Sequence, residues 1–116
     1  MSMRGDSDDW VTRVANSILS AIVRDATVKG SSGPFTLDDI LRAWLEYDHE
    51  LVSMLPDPPG SPDSTENQRR TYWFYEGCHA LEEWACIAEV GDGKFAIASL
   101  TLLTAQMLHA EVAHPN

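Results

Sequence analysis

The sequence predicts a mainly helical domain with one small β-hairpin. Three observations carry that prediction. Apolar residues recur every three or four positions over three long stretches. A proline-rich break separates the second stretch from the third. Beyond the third, two short apolar runs flank Gly91-Asp92-Gly93-Lys94, a turn-forming tetrad that reads as a hairpin tip.

Residues 1–7 read as a flexible tail and residues 8–113 as a single domain. Asp8 is a candidate N-cap, after which Trp10, Val11, Val14, Ile18, Leu19, Ile22 and Val23 form one helical stripe ending before Lys29-Gly30. Ser31-Ser32-Gly33-Pro34 is a turn. Thr36 opens a second helix; Asp39 stands at the capping-box position, and Asp38 suits the positive end of the helix dipole. Leu37, Ile40, Leu41, Trp44, Leu45, Leu51, Val52 and Leu55 extend the pattern, either with a break between Asp48 and Glu50 or straight through to Met54. Pro56, Pro58, Pro59, Gly60 and Pro62 forbid helix and make a surface loop.

Ser64 or Thr65 can cap a third helix that reaches about Trp84. Its first turns are polar, and its later turns carry Trp73, Phe74, Cys78, Leu81 and Trp84, which read as core. After it, Ile87, Val90, Phe95 and Ile97 favour strand, whereas Ala96 and Ala98 favour helix. A competing parse therefore runs residues 95–113 as one helix in place of the hairpin's return strand. In either case Leu103, Met107, Leu108 and Ala110 give a terminal helix over residues 100–112.

Composition narrows the class. A chain of 116 residues with 44% hydrophobic content can bury a core without staples. Cys78 and Cys86, if on one helix, lie about 12 Å apart at 1.5 Å per residue, too far for a disulfide. Reduced thiols suit a cytoplasmic protein. The first residues are polar and acidic, unlike a secretory leader, and the apolar run near residues 95–108 is broken by Ser99, Thr101, Thr104 and Gln106, so no membrane partner is expected. The net charge of −10 lowers the prior for nucleic acid, since phosphate contacts need cations.

The string Ala80-Leu81-Glu82-Glu83-Trp84-Ala85-Cys86-Ile87-Ala88-Glu89-Val90-Gly91-Asp92-Gly93-Lys94-Phe95 resembles the junction between recognition helix and wing in MarR- and PadR-like winged-helix proteins. Pro34-Phe35-Thr36-Leu37-Asp38-Asp39-Ile40 is similar to the start of the first helix of their helix-turn-helix pair. Two departures stand out: Ala85 occupies a position usually held by glycine, and Leu55 to Asp63 is longer and richer in proline than the family's turn. The resemblance implies a winged helix-turn-helix with an extra C-terminal helix, a DNA-binding transcriptional regulator, and homodimerisation through that helix.

Arg69, Arg70 and Lys94 are the only basic residues after Arg42, and they fall where a winged helix touches DNA. On that reading Asn67 and Gln68 read adenine edges, Arg69 or Arg70 reads guanine, Tyr72 donates to phosphate, and Lys94 steadies the wing on double-stranded DNA. The alternative is an acidic adaptor for a basic protein, or a DNA mimic that blocks a nucleic-acid-binding protein. Catalysis has no constellation to rest on: no nucleophile–histidine pair, phosphate-cradling loop or metal-ligand spacing is present, and Cys78 and His79 diverge on a helix. Neither a metal nor a cofactor is expected.

Overall fold

A computed structural model describes residues 3–30 and 34–98 of the chain. Its elements are α1 (Met3–Lys29), β1 (Phe35–Thr36), α2 (Leu37–Tyr47), α3 (His49–Ser53), α4 (Glu66–Glu83), β2 (Ile87–Gly91) and β3 (Lys94–Ile97). The protein is mainly helical with a small antiparallel sheet. The terminal helix expected over residues 100–112 lies outside the described residues. Among the described residues, no helix is long and apolar enough to cross a membrane.

The long helix α1 is the spine against which α2 and α4 pack. Val14, Ile18 and Ile22 are buried along one stripe, as their spacing predicts, with Ala15 and Ala21 beside them. They meet Ile40 and Trp44 from α2 and Trp73, Phe74 and Leu81 from α4. Gly77 permits the close α1–α4 approach: a Cβ there would lie 2.7 Å from Ile18 Cδ1 and 2.9 Å from Val14 Cγ1. The helix begins at Met3, where a tail was expected, so Asp8 is not its N-cap. No proline interrupts the polar stretch before Trp10, so nothing in the backbone stops the helix from extending.

The predicted capping box forms at α2, and a second forms at α4. The Thr36 hydroxyl accepts from Asp39 N–H at 3.1 Å while the Asp39 carboxylate accepts from Thr36 N–H at 3.1 Å. These bonds, above all the one from the Thr36 backbone, hold the Asp39 carboxyl below its usual range. At α4 the cap is Thr65, paired with Gln68. Between α2 and α3 the chain breaks at Asp48, whose backbone leaves helical geometry. Its carboxylate accepts from the Ser17 hydroxyl at 2.5 Å, and Ser17 accepts from the Trp44 indole N–H at 2.9 Å, a tether joining α1, α2 and α3.

The proline-rich segment is a loop, and it is anchored. Leu55 and Pro58 are buried, and the Trp73 indole N–H donates to the Pro56 carbonyl at 2.9 Å. The Ser64 hydroxyl donates to the Asp57 carboxylate, so the two ends of the loop stay close despite its length.

The sheet corrects the expected two-stranded hairpin. It has three strands in the order β1-β3-β2, because Phe35 and Thr36 pair with Phe95 and Lys94. A two-residue strand shows no periodicity of its own, and only its distant partner makes it a strand. Ile87 pairs with Ile97, Ala88 with Ala96 and Glu89 with Phe95, so Ile87, Phe95 and Ile97 turn one buried row toward the helices. That register settles residues 94–97 as strand against the competing helical parse.

Trp84 departs from its expected place in the core. It caps the C-terminus of α4 and is 48% exposed. The chain turns away directly after it: Ala85 adopts φ +59°, Ala85 N–H donates to Glu82 and Cys86 N–H to Leu81. That pair of bonds is the Schellman arrangement, which normally recruits glycine.

Candidate interaction face on α2 and α4

The residues expected to touch DNA begin where α4 begins, and their side chains divide into two groups. Gln68, Arg69 and Tyr72 are occupied within the fold. The Gln68 amide oxygen accepts from Thr65 N–H at 2.8 Å and so completes the cap. Arg69 donates to the Ser64 carbonyl at 2.6 Å and lies 3.6 Å from the Asp57 carboxylate, so it ties the proline-rich loop to α4. Asp57 also accepts from the Ser64 hydroxyl. Tyr72 is half-buried, edge-on to Trp73 with ring centroids 4.9 Å apart, and burial followed by the Glu76 charge pushes its phenol up.

Asn67 and Arg70 form the second group. Arg70 Nη2 donates to Asn67 Oδ1 at 3.1 Å, which uses one of the five donors of the guanidinium. Both residues line a cleft between α2 and α4 of about 180 Å³. Leu37, Leu41 and Leu45 form one wall at i, i+4 and i+8 spacing, Phe74 and Tyr75 the other, and Asp38 and Thr71 lie on the rim. The three leucines are only half-buried, and Tyr75 is 56% exposed.

Lys94 stands apart from this group. It opens β3 at the hairpin tip, exposed, and among the described residues no hydrogen bond or ion pair joins it to α4. The tip also carries Asp92 and Glu89, whose carboxylate accepts from Gly93 N–H at 3.3 Å. The hairpin tip is therefore acidic on balance.

The chain matches no protein-family model, no curated protein and no solved structure. Its chemistry must be read from its own residues.

Sequence reasoning placed Leu37, Leu41 and Leu45 in the α2 stripe without separating them from the core. The signal was present, since Leu37-Leu41-Leu45 forms a row beside Ile40-Trp44, and together the two rows make an apolar arc wider than one packed face requires. The second cleft, of about 170 Å³ between α1 and α2, is lined by Asp25, Lys29, Arg42, Asp39 and Glu46. Its one buried acid, Asp25, is already paired with Lys29 at 3.3 Å. Among the described residues no three histidine, cysteine or carboxylate side chains converge on a metal position.

Proposed function

We propose that this chain is a protein-docking adaptor on a winged-helix-like scaffold, with the α2–α4 cleft as its docking face. The scaffold reading is supported by the element order α1-β1-α2-α3-α4-β2-β3 and the sheet order β1-β3-β2, together with the resemblance carried by residues 80–95. The observation that carries the functional reading is the company Asn67 and Arg70 keep. They share a cleft with three leucines, a phenylalanine and a tyrosine. An aromatic and aliphatic floor with arginine at its edge is the composition of a protein interface. Surfaces that dock on DNA are polar and strongly positive instead.

Charge supports the same reading. Asp38 in the cleft, and Asp63 and Glu66 flanking the start of α4, stand against a single arginine with spare donors, Arg70, because Arg69 is held by Asp57. A regulator that reads double-stranded DNA through Asn67, Gln68, Arg69, Arg70, Tyr72 and Lys94 is the second reading, favoured by the exposed positions of Asn67 and Lys94, with half-buried Arg70 beside Asn67, at the helix start and hairpin tip. Fluorescence anisotropy with labelled duplex DNA at about 50 and 200 mM salt separates the two, because phosphate contacts weaken steeply with salt. The adaptor reading expects no saturable binding at the higher salt. Saturable binding there, weakened by roughly 1–3 kcal/mol in Arg70→Ala, would overturn it in favour of DNA.

A further inference from the structure

From the same cleft we infer the class of partner: an amphipathic helix that seats one bulky apolar side chain between α2 and α4 and carries lysine or arginine along its flanks. This inference rests on the docking reading above. The size of the cleft sets the first half of the description. About 180 Å³ between Leu37, Leu41, Leu45, Phe74 and Tyr75 accommodates a single anchor residue, not an extended chain buried along its length. Two helices that wall a groove accept a third most readily, by inserting its apolar residues between their ridges.

Charge complementarity sets the second half. Among the described residues, Asp38, Asp63 and Glu66 make no ion pair within 4 Å; Asp38 lines the cleft, and Asp63 and Glu66 flank the start of α4, the helix that carries Asn67 and Arg70. Behind them the whole chain carries −10, a field that draws cationic segments and repels acidic ones. Arg70 supplies the exception. It lines the cleft, and its remaining donors can take a backbone carbonyl or one carboxylate of the incoming helix. Apolar anchor, basic flanks and one acceptor toward Arg70 together define the ligand.

The test uses the full chain and three fluorescein-labelled helical peptides of roughly 14 residues, four turns each. One alternates leucine with lysine at helical spacing, the second replaces leucine by serine, and the third replaces lysine by glutamate. At about 150 mM salt the leucine–lysine peptide should bind saturably and the other two should not. Tyr75→Ala and, independently, Asp38→Asn should weaken it by about ten-fold and five-fold, whereas Lys94→Ala on the hairpin leaves it unchanged. Near-UV circular dichroism checks that each variant keeps its fold.

Equal binding of the serine–lysine peptide, or binding indifferent to both cleft variants, would mean diffuse attraction to an acidic surface and overturn the inference. Preference for the leucine–glutamate peptide, still sensitive to Tyr75→Ala, would overturn the basic class while the docking reading stands. Failure of all three peptides, combined with saturable duplex binding lost in Arg70→Ala, would remove both. A chain that self-associates, loses that association in Tyr75→Ala and ignores every peptide assigns the cleft to a second copy, and the inference falls.

Discussion

Ala85 adopts φ +59° in a turn whose hydrogen bonds are otherwise complete. The left-handed conformation brings a β-carbon too close to the neighbouring carbonyl, a cost of about 1–2 kcal/mol that glycine escapes. Glycine also gives back part of that gain through its freer unfolded chain. Ala85→Gly should therefore raise the unfolding free energy by about 0.5–1 kcal/mol, visible as a higher urea midpoint with an unchanged slope. A lower midpoint would show that the alanine methyl is packed. Cys78 makes the opposite kind of case at this scale. Burial, assisted by the Glu82 charge, pushes its thiol up to about 12, so at neutral pH it is a small apolar side chain and not a nucleophile. Half-buried Cys86 should be alkylated in the native protein, and Cys78 only after unfolding, which a timed iodoacetamide reaction read by mass spectrometry resolves.

Between elements, the α1–α4 crossing decides how the cleft is held. Phe74 forms part of the cleft wall and stacks on Trp44 with centroids 5.9 Å apart, so the wall is continuous with the core. Gly77 lies one turn further along α4, against Val14 and Ile18. An alanine there gains up to about 1 kcal/mol of helix propensity and must move a stiff, β-branched valine and a fully buried isoleucine, an overpacking cost of about 1–3 kcal/mol. The net expectation for Gly77→Ala is a loss of about 1 kcal/mol by chemical denaturation, with weaker α1–α4 packing; an unchanged or stabilised protein would mean the crossing is looser than its distances.

The same scale shows what the sequence could tell. The caps at Thr36 and Thr65 were legible because a capping box is local, contained in four residues. The hairpin was legible because its turn chemistry is local too. The third strand was not, since Phe35-Thr36 is strand only by virtue of Phe95 and Lys94, about sixty residues away in the chain. The Asp48 break was legible only as one of two alternatives, and the bond that Ser17 makes to it from α1 lies outside the local pattern. Of the residues singled out by type and position, Asn67 and Arg70 line the cleft, whereas Gln68, Arg69 and Tyr72 looked free in the sequence and are engaged by Thr65, Asp57, Ser64 and Trp73. Tertiary partners, invisible in a linear pattern, made the difference.

For the molecule as a whole, the charge of −10 acts on stability as well as on partners. Like charges spread over one small domain repel, and unfolding relieves that repulsion by moving them apart. Opposing this are the attractive pairs Lys29–Asp25 and Arg69–Asp57, at 3.3 and 3.6 Å. Lys29 and Asp57 are exposed enough that each pair is worth little, typically under about 1 kcal/mol. Salt screens both terms, and the repulsive one is larger here because carboxylates exceed cations by ten. Raising sodium chloride from about 20 to 200 mM shortens the screening length from roughly 20 to 7 Å and should raise Tm by about 2–5 °C. Chloride is the appropriate anion, since sulfate would strengthen apolar burial and raise Tm for a different reason. A Tm that falls with sodium chloride would mean that the ion pairs outweigh the repulsion. The attraction of a basic helix toward the α2–α4 entrance would then have to come from Asp38, Asp63 and Glu66 alone, without the field of the whole chain behind them.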